Sequence, residues 1–449
     1  MASGLFSNLD KSVATPIHCS PLDVQRVQAA LAFKVEGFPC KYLGIPLLVY
    51  KLKRSEERPL IDKVAARIPG WKGNLLNTAG RMALVKAALS AILIHTSIAL
   101  CLSPWMIGAI DKLRRTFIWA GTDSVAGGQC KVAWETCCRP KELGGLGISD
   151  LRRVGIALRV RWVWKDRREG RYPETKERSV LALFHAVTLA PVVFRSVSSR
   201  KLKVTVAEAL HNNDWVPHVT GPATLQLLVE IGRLCDLLDG VNLSPNPDTF
   251  LWWFSQDQAY SAASAYGAMF FGSSPLLGAK QIWKTAAPLR VRFFFWLVLH
   301  GRCWTAERRF RHGLQPTPTC IFCDQLPETM DHILLGCSFS REVWHICLAN
   351  LHLLQAVVVR EEQALGWWLL ARKGLPKVFR RGFDSFFFLA GWLLWKERNA
   401  RTFDGVLSTP AQLASRILEE ANAWCAAGFK QLAGLLARGV AFRAAAASS

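Results

Sequence analysis

The stretch CIFCDQLPETMDHILLGC, residues 320–337, decides how this chain is read. Two residues separate Cys320 from Cys323, eight separate Cys323 from His332, and four separate His332 from Cys337. A two-residue spacer lets two thiolates converge on one ion from a single turn. The four-residue spacer brings His332 and Cys337 together from one helical turn. Three sulfurs, one imidazole nitrogen and no carboxylate make a closed tetrahedral set, which is structural because no position stays open for a reacting water. Soft thiolates with one imidazole favour zinc over magnesium or calcium. His345 and Cys347 lie close enough in sequence to replace one ligand, and Cys303 is a more distant alternative.

The segments around this stretch have helical patterning. Residues 282–300 are dense in aromatics and lead into the cysteines. Residues 383–398 read as a strongly apolar helix ending in Trp395-Lys396-Glu397-Arg398-Asn399, and 410–437 as a last helix. An Ala/Ser tail, 444–449, is expected to be disordered. Toward the N-terminus, 21–33 is weakly helical, 38–47 is extended with tight turns, and 55–68 is a charged helix stopping at Pro69-Gly70. A second helix starts with Thr78 as N-cap and runs through the uncharged residues 87–110 to end near Pro104. Residues 106–119 make an amphipathic third. The uncharged stretch is long enough to cross a bilayer. However, Ser90, His95, Thr96, Ser97, Ser103 and Pro104 interrupt it, so it reads as buried in protein and no membrane partner is expected. Residues 173–280 are mixed, with a strand-to-helix switch at Tyr260-Ser261. Gly144-Gly145-Leu146-Gly147 lacks the Gly-Lys-Ser/Thr ending of a phosphate loop and reads as a turn.

Composition narrows the partners. Across 449 residues, 56 Lys and Arg face 34 Asp and Glu, a net charge of +22. Residues 1–172 hold 27 of the cations and 13 of the acids. Such an excess favours polyanions, nucleic acid first. The 18 Trp and 24 Phe supply core and argue against a disordered chain. Thirteen cysteines, an odd number spread over the whole length behind no recognisable leader, fit intracellular thiols and a metal site better than a disulfide framework. Two-metal nucleotidyl transfer needs converging carboxylates, and the chain contains no Asp-Asp pair, no His-Glu-x-x-His and no Gly-x-Ser-x-Gly.

Taken in order, these motifs resemble the C-terminal part of plant LINE-type (non-LTR) retrotransposon reverse transcriptases. Ala2-Ser3-Gly4-Leu5, Asn8, Lys11-Ser12 and Pro16-Ile17 resemble the palm segment that follows the catalytic Asp-Asp. Tyr42-Leu43-Gly44-Ile45-Pro46-Leu47 is similar to the primer grip. Trp71-Lys72, Leu75-Leu76, Ala79-Gly80-Arg81 and Leu84-Val85-Lys86 are similar to the helical thumb, and Phe117-Ile118-Trp119, Trp134 and Ser149-Asp150-Leu151 continue the likeness. Tyr260-Ser261, Ile282-Trp283 and Phe295-Trp296-Leu297 resemble the entry to the reverse-transcriptase zinc-binding domain, and Trp395–Asn399 the segment that follows it.

The resemblance implies a mainly α fold, with helical thumb-like and connection regions and a small zinc-binding module. It divides the chain into a palm remnant (1–35), primer grip and thumb-like region (36–172), connection (173–280), zinc-binding domain (281–360) and C-terminal helical region (361–449). It also places the family's catalytic Asp-Asp upstream of Met1, leaving Lys11 idle beside the nucleotide site. The expectation is therefore a zinc-binding, RNA- or DNA-binding protein, intracellular with the nucleus as a candidate compartment, that does not polymerise. Its nucleic-acid contacts would be Tyr42, Leu43 and Gly44 by resemblance. Arg153, Arg167 and Arg171 join them as one face of the helix 150–171, opposite a buried stripe of Leu151, Val154, Leu158 and Trp162. A zinc-containing protein-interaction module, or a decayed retroelement product without selected function, are the rival readings.

Overall fold

The computed structural model describes residues 12–17, 19–30, 34–38, 40–42, 45–47, 52–68, 75–122, 129–168, 190–196, 217, 219–220, 222–238, 251–356 and 363–447. The protein is mainly helical, as its patterning implies. It forms two compact units, residues 1–156 with 269–449, and residues 157–268. Strand content among the described residues is small. Val13–Ala14 pairs in parallel with Lys34–Val35, and Cys40–Tyr42 pairs antiparallel with Ile45–Leu47. The second pair is the expected extended segment.

In the larger unit, one hydrophobic core runs from Ile61 to Leu435. Its centre is the helix Lys377–Asn399. The run Phe386-Phe387-Phe388 in this helix is fully buried, so the helix is apolar around most of its circumference. Phe388 stacks on Phe295 of the helix Leu289–Leu299 with centroids 4.2 Å apart. Phe387 stacks on Trp368 of the helix Ala364–Gly374 and on Trp344 of the helix Ser338–Asn350. Stacked and edge-on rings add to what their buried area contributes. The helices Pro410–Ala426 and Lys430–Ala447 cover the remaining sides. Ala444–Ala447 continue the last helix instead of forming a disordered tail, consistent with alanine being the best helix former.

The uncharged stretch does not form one helix. Asn77, rather than Thr78, is the N-cap: its side chain accepts the Gly80 N–H at 2.9 Å, and Thr78 is the first helical residue. The helix Thr78–Leu84 passes into a π turn, Val85–Leu89, and then the helix Ser90–Ala99. Pro104 opens the next helix, Pro104–Trp119, because a missing N–H costs nothing at the first position. One polar residue of this stretch, Ser90, serves a buried cation, while Ser103 caps the next helix and donates to Glu57. Arg114 is fully buried, bonding Asp111 at 2.8 Å, the Ser90 hydroxyl at 3.1 Å and the Ser149 carbonyl at 2.9 Å. Burial raises the Asp111 carboxyl above its ordinary range despite that arginine. Among the described residues, no helix is long and apolar enough to cross a membrane.

The glycine cluster is the expected turn. Gly144 and Gly147 have φ of +81° and +66°, and a Cβ on Gly145 would sit 1.8 Å from the Arg139 carbonyl oxygen. The Gly144 carbonyl accepts the Trp296 indole N–H at 2.8 Å, which ties the turn to the core. Gly145→Ala should therefore lower stability by about 2–3 kcal/mol, the scale of core overpacking. Chemical denaturation checks this, and a change below about 0.5 kcal/mol would contradict the close approach.

In the smaller unit, Ala190, Val193 and Leu227 form a local core between the helices Pro191–Ser196 and Leu225–Leu238. Glu230 accepts the Val192 and Val193 N–H groups at 2.8 and 3.1 Å. The helix Ala262–Ala268 begins just after Tyr260-Ser261, as expected, but turns over residues 251–259 replace the expected strand. Trp252 packs edge-on against Tyr260 there, and its indole N–H reaches the Ser264 hydroxyl.

Candidate metal centre

Cys320, Cys323, His332 and Cys337 come together as the spacing requires, their ligand atoms all within 4.8 Å of one another. Cys320 and Cys337 are fully buried, and His332 is nearly so. The turn carrying the first two ligands is built locally. The Cys320 N–H donates to the Leu326 carbonyl and the Glu328 N–H to the Pro318 carbonyl, a short ladder around the Thr319–Pro327 bridge. The Asp324 N–H closes back on the Cys320 carbonyl at 2.9 Å, with Asp324 at φ +53°. The Phe322 N–H points at the Cys320 sulfur, 3.4 Å away.

The second pair of ligands comes from a π turn, His332–Gly336, where an ordinary helical turn was expected. The difference has a geometric reason. Residues five apart lie well off one line on an α-helix, whereas i→i+5 bonding brings them into register. The Cys337 N–H accordingly donates to the His332 carbonyl at 2.8 Å. Carbonyls within the turn are satisfied from the next helix, Ile333 by the Ser340 hydroxyl at 2.6 Å and Leu334 by the Trp344 indole at 2.7 Å.

Donor chemistry and spacing both fit zinc. Sulfurs roughly 2.3 Å from a tetrahedral zinc lie about 3.8 Å apart, within the observed span. Cys323 Sγ and His332 Nε2 are 3.3 Å apart. Among themselves the four side chains share protons. The hydrogen bond to Cys337, then burial, pushes the Cys320 thiol up to about 12, while the same bond holds Cys337 below the ordinary thiol range. His332 is raised, first by its bond with Cys320. A bound dication reverses this logic and favours thiolates and neutral imidazole. The alternative ligands are placed elsewhere: His345 is exposed, while Cys303 and Cys347 are buried outside the cluster, where burial pushes each thiol up to about 12.

Residues 260–344 match the family described as zinc-binding in reverse transcriptase. This zinc-binding domain includes all four ligands. An Arabidopsis thaliana protein provisionally named a ribonuclease H protein is 25% identical over 354 residues, which cover 67% of this chain and 57% of that protein. The aligned region thus spans little more than half of that relative's length.

The zinc-binding domain is anchored partly by residues of the Trp395–Asn399 motif and partly by residues to which sequence reading assigned no role. Glu328, between the ligand pairs, is fully buried, and its Oε1 accepts from Arg398 Nη2 at 2.6 Å and Nε at 2.9 Å. The same oxygen accepts the Ala306 N–H at 2.6 Å. Arg398 comes from the Trp395–Asn399 motif and lies over the Trp395 ring. Arg401 covers Phe322 and Phe339, which stack at 4.6 Å beside the first ligand turn. Glu397 holds Arg401 at 3.1 Å and accepts from Ser408. Burial pushes the Glu397 carboxyl up, but the Ser408 N–H and Arg401 outweigh it and hold the group below its ordinary range. Asp331, beside His332, accepts the Ala364 N–H at 2.9 Å. The sequence signals for this shell were the Trp395–Asn399 motif and the acid Asp331 beside His332, while Glu328 and Arg401 carried none.

The nucleic-acid candidates are not gathered in this domain. Tyr42 lies in the strand Cys40–Tyr42, while Leu43, Gly44 and Arg171 fall outside the described residues. Arg153 is half-buried near the start of the helix Leu151–Arg168, 3.7 Å from Asp150 and over the Phe270 ring at 4.3 Å. Arg167 belongs to the last turn of that helix. The expected buried stripe is only partly realised. Leu151 is buried, Val154 and Leu158 are half-buried, and Trp162 is 51% exposed. The small residues Gly155 and Ala157 are buried instead, so size rather than hydrophobicity sets which positions on this helix are covered.

Proposed function

We infer that this is a retroelement-type protein in which a closed zinc site orders a basic, helical body that grips RNA or DNA by its phosphates, without copying it. The observation that carries the reading is the convergence of three thiols and one imidazole. A zinc ion held by Cys320, Cys323, His332 and Cys337 would cross-link two chain turns and leave no position for substrate. The net charge of +22 supports the polyanionic partner.

Two measurements test the reading together. Affinity for single-stranded RNA should fall linearly in log–log form with salt, as counterion release requires, and be similar for unrelated sequences because phosphates carry no base information. No extension of a primed RNA template should occur with magnesium or manganese. Salt-independent binding, or a template-dependent product from this chain, would overturn it. Phe403, Val406 and Leu407, exposed just beyond the Trp395–Asn399 motif, favour a second reading as a protein-interaction module. Salt-insensitive capture of a protein partner would support that instead.

A further inference from the structure

The strongest unassigned feature outside the metal cluster is a concentration of positive charge beside it. Between the helix Leu289–Leu299 and the ligands, residues 300–315 carry four arginines and one glutamate. The glutamate, Glu307, is engaged by Arg311 at 2.7 Å. Arg308 lies over the Trp304 ring at 4.6 Å and donates to the Gly301 carbonyl at 2.6 Å. His312 packs edge-on against the same ring, with centroids 5.3 Å apart. Trp304 therefore keeps an exposed fraction while fixed between two cationic or polar groups.

A second segment brings more charge to the same place. The Gly144 carbonyl accepts from the His300 ring at 2.7 Å, and Gly145 and Gly147 pack on the backbone of Arg139. Arg139 and Arg302 are both close enough to act on the His300 imidazole, and Lys131 and Arg308 both act on the Cys303 thiol. Among the described residues, Lys131, Arg139 and Arg302 form no ion pair. Like charges held together without carboxylates repel one another, and an anionic partner relieves the repulsion. The cations are spread over two chain segments, which suits an extended polyphosphate better than a small anion. A fixed aromatic among arginines adds a platform on which an unpaired base can stack.

We propose that Lys131, Arg139, Arg302, Arg308 and Arg311, together with Trp304 under Arg308, form the surface on which single-stranded nucleic acid lies. The metal site sets the geometry of that surface. Glu328, held between the ligand pairs, accepts the first N–H of the helix Ala306–Arg311, and the Glu307 N–H donates to the Glu328 carbonyl. Zinc loading thus orders the arginine-bearing helix through one residue. This proposal rests on the nucleic-acid reading above and names the surface that carries it.

The test is anisotropy titration of the zinc-loaded full chain with a labelled single-stranded oligoribonucleotide over a range of salt. Lys131→Gln, Arg139→Gln and Arg302→Gln combined should lower the log–log salt slope by about 2, at about 0.7 per lost contact, with zinc content unchanged. Trp304→Leu should weaken binding about tenfold with the slope preserved, since stacking releases no counterions. Removing zinc from the wild type with a chelator should lower its slope by about 1.4, for the two contacts of Arg308 and Arg311 at about 0.7 each, and should lower the slope of the triple variant by the same amount. A triple variant with the wild-type slope would overturn the surface while leaving nucleic-acid binding in place. Wild-type binding without salt dependence would overturn the underlying reading as well. An unchanged slope after zinc removal would overturn the coupling through Glu328.

Discussion

Replacing Cys320 and Cys337 together by serine should abolish zinc binding and unfold the segment between Pro318 and Ser340. Both residues are fully buried, and each comes from a different turn of the site. Besides the ion they would share, the Phe322–Phe339 stack under Arg401 joins those turns. The Thr319–Pro327 bridge belongs to the first turn alone, and the Cys337-to-His332 bond to the second. Binding at a closed thiolate–imidazole site contributes on the order of 10 kcal/mol to folding of its module, comparable to the whole stability of a typical domain. Atomic emission should show the metal missing. Hydrogen exchange should show lost protection over residues 318–340, extending to the helix Ala306–Arg311 because its first N–H depends on Glu328. A double variant that keeps full zinc and full protection would remove these cysteines from the ligand set.

The second large effect is expected at Arg398. This side chain is 2% exposed and bonds a Glu328 carboxylate that is 1% exposed. Removing one partner of a buried pair leaves an uncompensated charge, which costs about 3–5 kcal/mol. Arg398→Met should lower stability by that amount in denaturant titration. Adding Glu328→Gln should recover part of the loss, since the orphaned charge goes with it, so the two changes should not be additive. A loss below about 1 kcal/mol for Arg398→Met would mean that Glu328 finds solvent or another donor.

These two effects mark what could and could not be read from the sequence. The ligands were legible because their convergence is set by short spacers, a local property that survives any arrangement of the rest. The turn type was not: five residues from His332 to Cys337 suit a π turn, but a helical turn is the usual assumption. Asn77 and Thr78 are both good caps, and only the bond to Gly80 decides between them. The end of the helix near Pro104 was legible, but the need for Ser90 was not, because it arises from Arg114, 24 positions later. Glu328 and Arg398 are separated by 70 residues, and charge in each would ordinarily read as surface. Trp162 failed in the opposite sense: a large apolar residue at helical spacing reads as core, yet tertiary packing covers Gly155 and Ala157.

The central claim is a closed zinc site of three sulfurs and one nitrogen, and X-ray absorption at the zinc edge of the purified full-length chain tests it most directly. One zinc per chain is expected, with three sulfur neighbours at roughly 2.3 Å, one nitrogen at roughly 2.0–2.1 Å and no oxygen. A first shell with oxygen, with five or six neighbours, or with fewer than three sulfurs would contradict it.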